Sequence, residues 1–248
     1  MGTTGVADGW FALDAAWEDA LAAFRAGRPD LGVLFSGGVD SALIAWELRR
    51  CPGLTLSTVG TPRSPDLSAA EAGAVLLGIP WTPTTVGESE VLELARTLED
   101  ETQGLPPVAR SVLVAFALVV QRAPVRELLC GQGADELFLG YAHYRGLSAS
   151  DAARRSQQDL ERVLREDWPR SQRIARRLGK TVESPYLHRG FIEAALRIPI
   201  ELRLPQPVPK AFFRDWARHR GLPELLAERP KRALQFGSGV DRILRRGR

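Results

Sequence analysis

Cysteine and lysine are scarce in this chain, and no apolar stretch approaches the ~18 residues of a membrane span. Two cysteines, Cys51 and Cys130, are too few for a disulfide framework or a cysteine-built zinc cluster. Each adjoins apolar residues, where a buried free thiol is the ordinary outcome, and a reducing compartment fits. The opening segment, MGTTGVADGW, has no basic stretch followed by an apolar core, so no leader is read and a cytoplasmic protein is expected, without membrane contact. Of 33 basic residues only Lys180, Lys210 and Lys231 are lysines. None precedes residue 180, which excludes the Gly-x-x-x-x-Gly-Lys-Ser/Thr phosphate loop. The arginines gather between Arg154 and Arg177 and again near the end, but Asp159, Glu161, Glu166 and Asp167 interleave the first group, as on a solvated face. No internal repeat or long low-complexity linker occurs.

What is present is a chain of 248 residues, 44% of them hydrophobic, enough for a sizeable core. The organising stretch is LGVLFSGGVDSALIAWEL, residues 31–48. Leu31, Val33, Leu34 and Phe35 read as a buried strand, and Leu43, Ile44 and Leu48 recur at helical spacing. Between them Ser36, Gly37, Gly38, Asp40 and Ser41 form a turn at a helix N-terminus, where backbone N–H groups and the dipole favour an anion. Gly37 and Gly38 let the backbone curl closely around a phosphate. Asp40 would repel that phosphate unless a hard cation such as Mg2+ lay between them, so the loop points to a Mg-nucleotide.

Residues 11–26 form an amphipathic entry helix carrying Phe11, Leu13, Trp17, Leu21 and Phe24. Strands are expected at 54–60, 81–86 and 125–131, alternating with helices at 69–77, 90–100 and 111–122. This alternation predicts an α/β fold: a parallel sheet with helices on both faces and ligands at the carboxyl ends of its strands. A second glycine turn, Gly131-Gln132-Gly133-Ala134-Asp135-Glu136, follows the fourth strand. Adjacent strand ends would bring Asp40 and Asp135 together around one Mg2+-polyphosphate. Beyond Tyr141 the pattern is helical, over 151–178, 189–198 and 210–219. The expected layout is one domain over 1–248, with the entry helix in 1–30, a nucleotide-binding α/β core in 31–147 and a helical C-terminal half in 148–248 that closes the site.

SGGVDS resembles the pyrophosphate loop of the N-type ATP pyrophosphatases. With STVGTPRSPDL (57–67), GQGADELFLGY (131–141), SPYLHRGFIEAALRIP (184–199) and ERPKRALQFGSGV (228–240), the chain resembles the synthetase domain of asparagine synthetases and their relative β-lactam synthetase. The resemblance implies an adenine-nucleotide alpha-hydrolase-like fold and an enzyme using ATP and Mg2+ that adenylates a carboxylate and joins it to ammonia or an amine. It further implies that Ser36, Gly37, Gly38, Asp40 and Ser41 hold pyrophosphate, that Val59 and Gly131 flank the adenosine, and that Asp40 and Asp135 bind the metal. Gly133 belongs to the same nucleotide-binding set. By the same likeness Lys210 is a catalytic residue that neutralises charge on the phosphates, and Lys231 follows as a cofactor-binding residue.

The departures carry information as well. Residue 2 is glycine rather than the cysteine nucleophile of a glutaminase domain, and the loop at 36 leaves no room for that domain, so ammonia, an amine or a separate glutaminase subunit is the expected nitrogen source. Gln132 stands where asparagine synthetases carry Glu and β-lactam synthetase Tyr. The base for acyl transfer is then sought among Glu136, Glu166, Asp167 and His188. Pro-Phe-Leu-Asp is Pro185-Tyr186-Leu187-His188, and Glu-Val-Arg is Thr181-Val182-Glu183. The alternatives to a ligase are a pyrophosphatase that modifies tRNA or another nucleic acid, the less favoured partner, and a nucleotide-binding protein without ligase activity. The identity of the acid and formation of a homo-oligomer stay open.

Overall fold

The computed structural model describes residues 3–26, 30–62, 64–229 and 237–246. The first half alternates helix and strand: α1 (Thr3–Arg25), β1 (Leu31–Leu34), α2 (Val39–Leu48), β2 (Thr55–Gly60), α3 (Pro65–Leu77), β3 (Trp81–Thr85), α4 (Glu88–Thr97), α5 (Glu99–Thr102), α6 (Pro107–Arg122) and β4 (Glu127–Leu129). There follow α7 (Ala134–Leu137), a 3-10 turn (Ala142–Tyr144), α8 (Ala149–Arg162), a π turn (Val163–Asp167), α9 (Trp168–Arg177) and β5 (Thr181–Glu183). A second 3-10 turn (Pro185–Leu187) leads to α10 (Arg189–Arg197), α11 (Ile200–Arg203), α12 (Ala211–His219), α13 (Glu224–Ala227) and α14 (Val240–Arg246).

The strands form one parallel sheet in the order β3-β2-β1-β4-β5, with Val33 of β1 opposite Leu56 on one side and Leu129 on the other. The chain winds outward from β1 through β2 and β3, then returns to place β4 on the other flank of β1. A switch point therefore lies between β1 and β4, and in such sheets the crevice beyond the carboxyl ends of those two strands receives ligands. Both glycine turns leave the sheet there.

Each face is covered by helices. On one side α1, α2, α3, α10 and α12 share a core with β1 and β2; on the other α4, α6, α9 and α14 pack together. Helix α6 is buried continuously from Leu113 to Val120, as its apolar run requires. Trp17 sits at the centre of the first core, its ring 4.9 Å from Tyr186, 5.1 Å from Phe191 and 5.7 Å from Trp216. Phe138, just past α7, stacks on Phe213 of α12 at 4.7 Å. These aromatic contacts lock α12 and the 185–187 turn against the sheet and so set where Lys210 enters the crevice.

Sequence expectations need correction or refinement at three places. A fifth strand exists: β5 has only three residues, alternating exposed, buried and exposed, and forms the sheet's edge, too short and too polar to stand out from periodicity. Residues 149–177 are helical without a break, as the periodicity predicts, but α8 and α9 meet through a π segment rather than one regular ladder. Pro169, near the start of α9, can neither donate an amide nor tolerate the carbonyl four residues back, and the chain passes through the π turn before it. Phe11 is 73% exposed while Leu13, Trp17, Ala20 and Leu21 are buried, because Phe11 lies two positions, about 200° of helical rotation, from Leu13. Pro83 within β3 is accommodated because β3 is the other edge strand.

Removing the ring that joins four elements should leave a cavity, so Trp17→Ala is expected to destabilise the chain by about 3–5 kcal/mol. Urea denaturation measures the loss; a change under about 1 kcal/mol would show that the aromatic cluster does not hold α1 in place.

Candidate active site

The turn after β1 is shaped by its glycines. Gly37 has φ +69°, and a Cβ there would collide with the Arg229 guanidinium and lie 2.7 Å from the Ala69 carbonyl. Gly38 caps α2, so the first-turn amides of Val39, Asp40 and Ser41 face out of the helix end. The Ser41 hydroxyl donates to the Gly38 carbonyl at 3.2 Å and accepts from the Ser36 amide at 3.4 Å, which keeps the loop curled.

The second turn closes against the first. A Cβ on Gly131 would lie 2.8 Å from Asp40 Cβ, so only glycine allows the two loops to meet. Gly133, at φ +96°, packs against Leu187, and the Gln132 carbonyl accepts from Ser184 Oγ at 2.6 Å. The Tyr186 hydroxyl donates to the Asp40 carbonyl at 2.8 Å. The Ser184–Leu187 segment thus buttresses both loops.

Lys210 joins them. Its Nζ lies 2.6 Å from Asp40 Oδ1 and 2.6 Å from Asp135 Oδ1, and the residue is 2% exposed. Burial opposes the ammonium charge, but Asp135 and Asp40 outweigh it and raise the Lys210 pKa above the ordinary lysine value. The backbone is shaped for this contact: Lys210 has φ +60° and Leu139 φ +54°, uncommon for residues with side chains. Gly140 sits over the pair, where a Cβ would overlap both Asp135 Oδ1 and Lys210 Cε.

Next to Asp135, Glu136 is 2% exposed, and Tyr141 donates its hydroxyl to Glu136 Oε1 at 2.6 Å. The other oxygen, Oε2, is buried with no hydrogen-bond partner among the described residues. Burial, aided by the Asp135 charge and only partly offset by Tyr141, pushes the Glu136 pKa up to about 7.

The carboxyl ends of β1 and β4 therefore bring together Ser36, Gly37, Gly38, Asp40, Ser41, Gly131, Gln132, Gly133, Asp135, Glu136 and Lys210. Val59 is near the end of β2, and its side chain is buried in the core. Lys231 lies outside the described residues. Lys180 donates to the carbonyls of Ala123 and Val125 at 2.7 and 2.8 Å, a structural role. Among the other base candidates, Asp167 is engaged by Arg162 and Arg170 on the π turn, Glu166 is exposed beside it, and His188 stands 3.8 Å from Asp19. Glu183 and His188, two departures from the family pattern, line one groove together with Asp19 and Trp168. Within the arginine-rich stretch, Arg155, Arg162, Arg173 and Arg177 pair with Asp159, Asp167 or Glu101.

Two arginines escaped the sequence reading. Arg229 Nη1 donates to the Ser36 carbonyl at 2.6 Å, and Arg214 is buried behind it. Arg229 lies in the ERPKRALQFGSGV segment and Arg214 four residues after Lys210, where the lysines drew attention, and no local periodicity marks a contact 193 residues away.

Two carboxylates converging on one cation are hard oxygen donors. Among the described residues no group of three or more His, Cys, Asp or Glu could hold a metal, and the ammonium of Lys210 stands between the two carboxylates, so a hard ion such as Mg2+ would take its other ligands from water and phosphate.

Known proteins resemble this chain along most of its length. A glutamine-hydrolysing asparagine synthetase, itself putative, from Methanocaldococcus jannaschii is 27% identical, the alignment covering 94% of this chain and 50% of that protein. Asparagine synthetase from Gallus gallus is 27% identical, over 84% of this chain and 39% of that protein, and asparagine synthetase B from Escherichia coli K12 is 27% identical, over 75% and 37%. The chain thus spans half or less of the length of these relatives. A solved structure described as a predicted subunit of tRNA methyltransferase, also from M. jannaschii, is 19% identical, covers 83% of this chain and 95% of that one, and superposes with a TM-score of 0.38. The asparagine synthase family model matches residues 12–156 and 146–247. That match takes in both glycine loops and the segments carrying Lys210 and Arg229, and the chain belongs to the asparagine synthase family.

Proposed function

We propose that the chain is an ATP-dependent ligase that forms AMP and pyrophosphate, adenylating a carboxylate and passing the acyl group to ammonia or an amine. The observation that carries this reading is the convergence of Asp40, Asp135 and Lys210 beside the Ser36–Ser41 loop at the sheet's switch point. The loop amides and the Ser41 hydroxyl bind the pyrophosphate portion of ATP. Asp40 and Asp135 hold Mg2+, which when bound neutralises polyphosphate charge. Lys210 supplies a fixed ammonium where negative charge grows as pyrophosphate departs, a preorganised electrostatic contribution. Gln132 cannot take a proton. Glu136, with one oxygen held by Tyr141 and the other uncommitted, accepts the proton released when the amine attacks.

Pyrophosphate release from ATP by the 248-residue chain, in the presence of small carboxylates with ammonia or amines, tests the proposal. Release that required tRNA would favour nucleic-acid modification, and nucleotide binding with no release would leave a binding protein. Asp40→Asn and Asp135→Asn should each weaken the Mg2+-dependent part of ATP affinity; unchanged affinity and metal dependence in both would remove the shared-metal site. Lys210→Ala should lower turnover by about 100-fold or more if it acts as one preorganised charge.

Glu136 makes a separate prediction about stability in metal- and nucleotide-free protein. Its carboxyl ionises near 4.5 when unfolded and near 7 when folded, so the unfolded state loses its proton first. Wild type should therefore lose stability relative to Glu136→Gln as pH rises from about 4.5 to 7, by on the order of 3 kcal/mol, with the difference gone below that window. Parallel pH–stability curves for the two proteins would show that Glu136 titrates normally.

A further inference from the structure

Arg214 is a buried cation with no part in the chemistry assigned above. It lies in α12, four residues after Lys210, and is 5% exposed. Its guanidinium is occupied by backbone carbonyls: Nε donates to Pro209 at 3.0 Å, and Nη1 donates to Arg229 at 3.0 Å and also to Ala227. No ion pair among the described residues supplies it with a carboxylate. Burial disfavours its charge, and Asp40 and Asp135 favour it only from beyond ion-pair distance without outweighing that cost, so a well-packed apolar side chain would serve plain stability as well or better. The arrangement calls for an explanation in terms of what the carbonyls belong to.

Pro209 immediately precedes Lys210, whose left-handed backbone and ammonium complete the Asp40–Asp135 contact. The Ala227 and Arg229 carbonyls lie on the segment from which Arg229 reaches the Ser36 carbonyl at 2.6 Å. Thus one planar group grips both cation-bearing segments. Arginine can do this because its donors diverge in a rigid plane; a lysine ammonium is a single point that cannot span the same separation.

Resting on the ATP site proposed above, we propose that Arg214 is a positioning residue whose guanidinium fixes Lys210 and Arg229 as one cationic unit at the phosphate loop and acts on ATP only through them. The full chain separates this from a general structural role when Arg214→Met and Arg214→Lys are compared with wild type by amide hydrogen exchange and by Mg-ATP affinity. In both variants exchange at 210–213 and 227–229 should rise together by about tenfold or more, because both segments lose the same tie. ATP affinity should fall by about tenfold in both, and Arg229→Met should cost markedly less in the Arg214→Met background than in wild type, since its side chain is already misplaced there.

Full recovery of exchange and affinity in Arg214→Lys would overturn the proposal, because charge rather than span would then suffice. Exchange confined to one segment, or independent effects of Arg214→Met and Arg229→Met, would overturn it too. If Arg214→Met does not fold, Arg214→Lys carries the same comparisons, including the cycle with Arg229→Met. A wild-type chain that binds no Mg-ATP would refute the nucleotide reading, and the exchange experiment alone would then decide whether Arg214 bridges the segments.

Discussion

The contact of Lys210 with Asp40 and Asp135 is the constraint to which the rest of the molecule is fitted. Two carboxylates at neighbouring strand ends repel one another, and a buried ammonium between them resolves that repulsion while closing the crevice from the far side. The surroundings are shaped around this requirement. Gly131 lets the second loop press against Asp40, Gly140 leaves space above the ion contact, and Lys210 and Leu139 take backbone conformations that residues with side chains seldom adopt. Such conformations persist only where packing determines them, and Phe138 on Phe213, with Trp17 beneath, supplies that packing.

Much of this was legible from local pattern. The strand-turn-helix signal at 31–48 and the second glycine turn at 131 survive because backbone geometry demands particular residues at particular steps, and they predicted that Asp40 and Asp135 would meet. Helix α6 announced itself by an apolar run. Local pattern failed where the cause is remote. β5 is a strand because an edge of the sheet accepts three polar-flanked residues, and α8 runs into α9 through a π segment because Pro169 interrupts the regular ladder within an otherwise continuous periodicity. Arg214 and Arg229 were invisible for a related reason: each is defined by carbonyls it finds in the fold, and a carbonyl has no letter in a sequence.

The positions that depart from the family's pattern fall into two kinds. Tyr186 keeps a mechanical role, bonded to the Asp40 backbone beside Leu187, which matches the pattern and packs under Gly133. Glu183 and His188 instead share a groove, so the altered charges are gathered rather than scattered. The residues that support the loops are thus separable from those that line the groove.

The winding order also bears on how the molecule is made. β1 lies at the middle of the sheet yet is synthesised before the other described strands, and its β4 neighbour emerges only after β2, β3 and their helices. The last partner of Asp40 lies 170 residues along the chain. Contacts of such sequence separation form late because loop closure must be paid for before they return anything, and domains fold largely as units. A nascent chain that stops short of α12 carries both glycine loops but faces two unneutralised carboxylates across them. Completion of the crevice thereby waits for synthesis of α12, and a product truncated before it is left with two carboxylates repelling one another across an open pair of loops.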